Sequence, residues 1–206
     1  MNNFHLHKNE IGIDEAGRGS LLGRVYACAV IIGDISPIEN IPKDIIINDS
    51  KKLSKNQRKK SYEWIINNVK SYSIGYAEPS EIDKVNILNA TQLAMQRAIS
   101  GIYDCKDEKI DIIIDGPRWE NKFDKNKYNI TSIIKGDSKY LSIAMASIIA
   151  KEEHDKHIEE LCILCPELNQ KYDLLNNMGY GTKKHLEGIK KNGISEYHRK
   201  LFSPCK

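Results

Sequence analysis

The sequence predicts an α/β domain with a mixed central sheet, and three observations support that class. Short β-branched apolar runs come first, helical and strand patterns then alternate, and the C-terminal third is helical. At 206 residues the chain is long enough for one domain with a sizeable core and short for two. Ile11–Asp14 and Val25–Ile32 read as buried strands flanking a glycine-rich turn. Ser54 caps a helix running to about Val69, with Trp64, Ile65 and Val69 on its apolar side. Ser71–Ala77 is a third strand, and Asn86–Ile99 sets Leu88, Leu93, Met95 and Ile99 on a helical period. Ile110–Ile114 is a short strand stopped by Asp115-Gly116-Pro117, and Asn129–Ile134 is another. Ser138 to about Leu164 has the pattern of one long helix, closed by Pro166. No internal repeat, low-complexity tract or linker interrupts this order.

Composition excludes several function classes. Hydrophobic residues make up 40% and charged residues 29%, which is ordinary for a soluble globular protein and too apolar for a disordered one. No run approaches the ~20 apolar residues that span a membrane. The stretch from Met1 to Glu10 is polar, without the apolar region of a signal peptide, so the expected location is cytoplasmic, or nuclear in a nucleated cell. The cysteines (Cys28, Cys105, Cys162, Cys165 and Cys205) cannot all pair within one chain and read as reduced thiols. Cys162 and Cys165 form a C-x-x-C, but no second pair completes a zinc site, and their helical spacing puts both on one buried face. A net charge of +3 does not by itself announce a nucleic-acid partner. Locally, Lys51, Lys52, Lys55, Arg58, Lys59 and Lys60 form one basic run, and a second extends from Lys183 to Lys200. Such runs are either solvated helix faces or phosphate-binding surfaces.

The informative residues are the acids. Asp14 and Glu15 end one apolar strand, Asp115 ends another, and Asp137 stands between a strand and a long helix. Aspartate is depleted in strands and costly to desolvate, so acids at the ends of buried strands need partners. Mg²⁺ and Mn²⁺ prefer such clustered carboxylate oxygens. Converging strand ends would hold two ions ~3.5–4 Å apart, one activating a water and one stabilising the oxygen that leaves phosphorus. Each acid also has a plainer reading: Asp115-Gly116 as a turn dipeptide, Asp137 as a helix N-cap.

The turn Gly17-Arg18-Gly19-Ser20-Leu21-Leu22-Gly23 superficially matches a dinucleotide-binding loop. Its third glycine comes one residue too late, and a strand follows where that fingerprint requires a helix, so no dinucleotide cofactor is expected. A flexible turn with Arg18 at its tip instead lets backbone amides and a guanidinium approach a sugar–phosphate chain.

Five runs in order resemble the ribonuclease HII family. They are Gly12-Ile13-Asp14-Glu15-Ala16-Gly17-Arg18-Gly19, Asp49-Ser50-Lys51-Lys52-Leu53-Ser54, and Lys135-Gly136-Asp137-Ser138 leading into Ala146-Ser147-Ile148-Ile149-Ala150-Lys151. Gly179-Tyr180-Gly181-Thr182-Lys183-Lys184-His185-Leu186 and Tyr197-His198-Arg199 with Phe202-Ser203-Pro204 complete the series. The resemblance implies an RNase H-like fold, a mixed central sheet flanked by helices with a helical C-terminal region. It also implies a single catalytic domain over residues 1–206, with about 170–206 contacting substrate. The implied activity is metal-dependent hydrolysis of the phosphodiester 5′ to a ribonucleotide, in RNA–DNA hybrids or in duplex DNA with embedded ribonucleotides, by a monomer that leaves 3′-hydroxyl and 5′-phosphate ends.

Carried over position by position, Asp14, Glu15, Asp115 and Asp137 are the catalytic and metal-binding acids for two Mg²⁺ or Mn²⁺ ions. Gly17, Arg18 and Gly19 read the ribose 2′-hydroxyl, the group that distinguishes RNA from DNA. Tyr180 stacks on the following sugar, with His185 in the same motif. Asp49, Ser50, Lys51, Lys52 and the basic stretch after them contact phosphates. Read from the residues alone, Tyr180 is equally a packed loop aromatic, His185 a surface helix residue, and Arg18 a partner for a structural carboxylate. Ser20 and Arg24 stand where the family usually has proline, which predicts a looser loop and an added charge close to the acids. The segment Asn169–Met178 is longer than usual, Lys151–Asp155 is more acidic, and no clamp-docking peptide is seen. A hybrid-binding protein with weakened catalysis is the main alternative. A nuclease preferring long hybrids and a small-substrate phosphatase are others, the latter needing neither the basic runs nor a 2′-hydroxyl reader.

Overall fold

Strand β1 (Ile11–Ala16) sits at the centre of the molecule because both of its faces are covered. In the computed structural model, which describes residues 4–5, 10–33, 41–102 and 110–206, it pairs antiparallel with β2 (Val25–Ile31), setting Asp14 opposite Cys28. β3 (Ser71–Ala77) adds antiparallel to β2 at one edge. On the other side β4 (Ile110–Asp115) runs parallel to β1, and β5 (Tyr128–Ile133) parallel to β4. The order β3-β2-β1-β4-β5 is the mixed sheet expected from the sequence. Cys105 and most of the polar N-terminal stretch lie outside the described residues.

Alternation along the strands divides the core into two layers. Ile11, Ile13, Ala27, Ala29, Ile112 and Ile114 pack with Ala94, Met95, Ala98 and Ile99 of α2 (Pro79–Ile102). Cys28 and Val30 face the other way, toward Ile65 of α1 (Lys55–Asn68) and toward Leu141, Met145 and Ile148 of α3 (Leu141–Leu164). Close approach on both faces depends on glycine. A Cβ on Gly12 would lie 2.4 Å from Ser142 Cβ, and one on Gly75 would lie 2.0 Å from the Ala94 carbonyl oxygen. The obstacle at Gly75 is helix backbone and cannot swing aside, so Gly75→Ala is expected to cost about 2–3 kcal/mol. A thermal melt followed by circular dichroism should fall by roughly 5–10 °C; an unchanged midpoint would mean that α2 does not press on β3 this closely.

The helices follow the sequence with local differences. Ser54 caps α1 in a reciprocal capping box with Gln57. α2 begins at Pro79, earlier than the apolar period suggested, and breaks at Asn86, whose φ of 68° is left-handed. The Asn86 side chain accepts the Asn89 N–H at 3.1 Å, so it caps the second segment, the one the periodicity detected. α3 starts at Leu141 after a 3-10 turn, Gly136–Ser138, and Pro166 opens the next helix, α4 (Pro166–Tyr172), in its first turn. α5 (Leu174–Asn177) and α6 (Lys183–Asn192) follow. Cys162 and Cys165 pack with Ile158, Leu161, Leu168 and Tyr172, as core thiols do. Among the described residues no helix is long and apolar enough to cross a membrane.

Candidate active site

Register brings the first two acids together. Ile13 pairs with Ile114 on the parallel neighbour and both face α2, so the next residues, Asp14 and Asp115, turn to the α3 side at adjacent strand ends. Asp14 is buried, and the Ser147 hydroxyl of α3 hydrogen-bonds its carboxylate. Lys135 adopts a left-handed conformation, φ 56°, and folds the chain so that the Gly136 N–H donates to Asp115 Oδ1 at 2.6 Å. That bond seats Asp137 beside Asp115 and Asp49. Glu15 continues β1 into the glycine-rich turn, where Arg18 Nη1 donates to its Oε1 at 2.9 Å. All four predicted acids therefore lie toward the same end of β1 and β4, within electrostatic reach of one another in pairs.

Their electrostatics are those of crowded carboxylates. Burial first, then the Glu15 and Asp115 carboxylates, push the Asp14 carboxyl well above its ordinary value. Burial also raises Glu15, against the lowering effect of Arg18, and raises Asp137 together with Asp115 and Asp49. Glu15 Oε2 is buried without a hydrogen-bond partner. Hard oxygen donors, mutual repulsion and an orphaned carboxylate oxygen fit a divalent cation. As the side chains stand, no three Asp, Glu, His or Cys among the described residues are drawn together closely enough to hold an ion. With Glu15 turned to Arg18 and Asp115 Oδ1 taken by Gly136, the acids converge without forming a closed coordination shell.

The turn beside them is rigidly held. Gly17 has φ +83°, and a Cβ there would lie 2.3 Å from His154 Cδ2, so both conformation and space require glycine. At Gly19 a Cβ would meet only the Tyr180 ring, at 3.7 Å, an ordinary contact. Packing alone therefore does not require glycine at this position. Arg199 holds the loop from behind: its Nη1, Nη2 and Nε donate to the carbonyls of Arg18, Arg24 and Gly23 at 3.0, 2.9 and 3.0 Å. Short bridges add Ser20 to Tyr180 and Leu22 to His198, and the Ser20 hydroxyl donates to Leu22 O. At the two positions where the family usually has proline, Ser20 is thus tied to Leu22 and Tyr180, and the Arg24 carbonyl to Arg199.

Several other residues stand elsewhere than the sequence suggested. Arg24 points away from the acids, paired with Glu78 at 2.7 Å and lying over the Tyr76 ring. Two cations of the basic run are neutralised by the acidic stretch of α3: Lys55 pairs with Glu159, and Arg58 is buried between Glu152 and Asp155. Lys51 is exposed and within electrostatic reach of Glu15, Asp137 and Tyr180, whereas Ser50 is buried with its hydroxyl 3.0 Å from that of Ser147. Ser50, expected to contact phosphate, is thus turned inward from the surface. His185 is fully buried, so it supports Tyr180 from beneath and does not reach substrate. The lengthened segment before Tyr180 is ordered by Asn177, which accepts the Gly179 N–H and donates to Tyr172 O. Arg199 and Ser147 lie within the runs that carry the family resemblance, yet the sequence assigned them no role, and it assigned none to His154 either. Ser147 left a further signal, a hydroxyl in an otherwise apolar helical run.

Comparison with known proteins matches this arrangement. The family model described as Ribonuclease HII aligns with residues 11–205. A ribonuclease HII of Staphylococcus saprophyticus is 43% identical over 195 residues, 95% of this chain and 69% of that protein. The crystal structure of ribonuclease H2 from Pyrococcus horikoshii OT3 superposes with a TM-score of 0.69 at 25% identity, covering 96% of this chain and 95% of the other. Archaeoglobus fulgidus RNase HII, solved in complex with PCNA, gives a TM-score of 0.71 at 22% identity, covering 94% and 95%, and at that identity supports the fold. The family match spans the strand-end acids, the glycine turn and the C-terminal strap that braces it: the chain belongs to the ribonuclease HII family.

Proposed function

We propose that this chain is a divalent-metal-dependent endoribonuclease hydrolysing the phosphodiester 5′ to a ribonucleotide, in RNA–DNA hybrids and in duplex DNA carrying embedded ribonucleotides, to leave 3′-hydroxyl and 5′-phosphate ends. The supporting observation is the convergence of Asp14, Glu15, Asp115 and Asp137 beside a glycine turn that faces Tyr180. Asp14, Glu15, Asp115 and Asp137 would hold two Mg²⁺ or Mn²⁺ ions, which when bound lower the pKa of a water and neutralise charge on the leaving oxygen. Ser147 keeps Asp14 aimed into the site, and Gly136 fixes the rotation of Asp115. The Tyr180 ring lies over Gly19; there it would stack on the sugar that follows the ribonucleotide, and the Gly17–Gly19 turn would read the ribose 2′-hydroxyl. Lys51, next to the acids, supplies a phosphate contact without sequence preference. The chain acts as one catalytic domain and a monomer in the cytoplasm, or in the nucleus of a nucleated cell, with residues from about 170 bringing Tyr180 to the substrate.

The test is cleavage of an end-labelled DNA duplex carrying one ribonucleotide, in Mg²⁺, Mn²⁺ and EDTA, beside an all-DNA duplex and a long hybrid. One metal-dependent cut 5′ to the ribonucleotide is expected, and binding without cutting in either metal would overturn the reading. Tyr180→Ala is expected to lower cleavage of the single-ribonucleotide duplex about ten- to a hundred-fold, consistent with the ~1–3 kcal/mol of a lost stacking contact, and the long hybrid less. Equal losses on both substrates would remove Tyr180 from ribonucleotide selection. Gly19→Ala should fold normally and show the same bias.

A further inference from the structure

Beneath Tyr180 two imidazoles meet in the protein interior. His185 and His198 are fully buried, and their Nε2 atoms stand 3.1 Å apart. The surrounding bonds fix where each proton sits. His198 Nδ1 accepts the Ser195 N–H at 2.9 Å, so its own proton is on Nε2. That Nε2–H donates to His185 Nε2, which leaves the His185 proton on Nδ1, 3.0 Å from the Tyr180 carbonyl it donates to. The direction is therefore single: Ser195 to His198 to His185 to Tyr180. Burial lowers the pKa of both imidazoles, His198 to about 4 with His185 adding to the effect, so the pair is neutral near pH 7.

The relay also closes a ring. Its root, His198, is bridged to Leu22, and its tip, Tyr180, is bridged to Ser20 of the same loop. Tyr172 packs against both imidazoles, with ring centroids 5.7 Å from His185 and 4.7 Å from His198, and its hydroxyl donates to Gly193 O. Tyr180 thus has its backbone held from below, at its carbonyl by His185 and at its bridge to Ser20, while its ring lies over Gly19.

We propose that His185 and His198 are positioning residues for ribonucleotide selection, acting through this one-way hydrogen-bond relay to set where Tyr180 stands over the Gly17–Gly19 turn. The inference rests on the function proposed above. It goes further by making discrimination depend on a donor at the position of His185 Nδ1, not on the imidazole's bulk. Asparagine reproduces Nδ1 and can still donate to the Tyr180 carbonyl; glutamine reproduces Nε2 and keeps only the contact with His198.

The experiment compares kcat/KM on the single-ribonucleotide duplex and on the long hybrid for the wild type, His185→Asn and His185→Gln. His185→Asn should keep the wild-type ratio of the two substrates within about threefold, and His185→Gln should lower it about tenfold, in line with one lost hydrogen bond in a buried site. Equal ratios in both variants overturn the relay. A wild type that cuts neither substrate overturns the function itself, a distinguishable result. Because His185→Gln is open to misfolding, the proton positions are also read on the ¹⁵N-labelled wild type by long-range ¹H–¹⁵N NMR. The expected tautomers are Nε2–H for His198 and Nδ1–H for His185; the opposite assignment for either refutes the relay whatever the variants do.

Discussion

Asp14→Asn and Asp115→Asn are expected to fold, to melt at a higher temperature than the wild type in EDTA, and to lose at least about a thousandfold in cleavage. Folding should persist because each amide oxygen can still accept the bond its carboxylate accepts, from Ser147 in one case and Gly136 in the other. Stability should rise because Asp14 is a buried charge whose nearest carboxylates are Glu15 and Asp115. Removing one charge from such a set gains about 1–2 kcal/mol, a few degrees in the melt. The pH dependence has a definite sign. A carboxyl whose folded pKa is raised binds protons more tightly folded than unfolded, so its contribution is present at acid pH. It is lost as pH climbs from the ordinary value of 3.8 through the raised one. Asp14→Asn should flatten that decline in EDTA. Mg²⁺ should raise the wild-type midpoint and leave that of Asp14→Asn nearly unmoved, since a ligand stabilises only the state that binds it. A variant that keeps turnover, or melts lower than the wild type in EDTA, would mean that these acids are structural.

How much of this site was legible in the sequence depends on the range of the interaction. Asp14 and Asp115 stood out because an acid that ends an apolar strand is chemically anomalous within its own few residues. Their convergence was not legible, since it depends on β1 and β4 being parallel neighbours in the register Ile13 to Ile114. The turn chemistry of Gly17 was local and readable, while the need for glycine above His154 was not. Arg24 was misplaced because its partner, Glu78, is 54 residues away, and nothing local separates a charge aimed at the acids from one aimed at an edge strand. The same holds for Arg58: a basic run reads as a phosphate surface until the acids of α3 are seen to lie against it. His185 illustrates the limit in a different way. The sequence read it as a surface helix residue, and its helix is amphipathic, but burial comes from His198 and Tyr172, which arrive from other segments. Family resemblance supplied the candidate residues, and the structure buries two of those expected at the substrate surface, Ser50 and His185.

The second large effect is expected at Arg199, a residue far in sequence from every acid. Its guanidinium is fully buried, and its donors are spread over three backbone carbonyls of the Arg18–Arg24 loop. Desolvation lowers its pKa to about 10, which still leaves it charged near neutrality. Arg199→Met keeps much of the volume and leaves those carbonyls without donors. At about 1–3 kcal/mol for each unsatisfied buried group, offset by no longer burying a charge, the net loss should be on the order of 3 kcal/mol. Arg199→Lys should rescue little, because an ammonium is a point donor and cannot span three carbonyls as a planar fork does. The loop should detach at its Arg18 end, so both variants should lose the single-ribonucleotide substrate more than the long hybrid while still binding Mg²⁺ at the acids. Thermal melts with and without Mg²⁺, beside the two-substrate assay, separate these effects. If Arg199→Met lowers stability but leaves the ratio of the two activities unchanged, the loop is held well enough by its bridges to Tyr180 and His198, and Arg199 serves the fold alone.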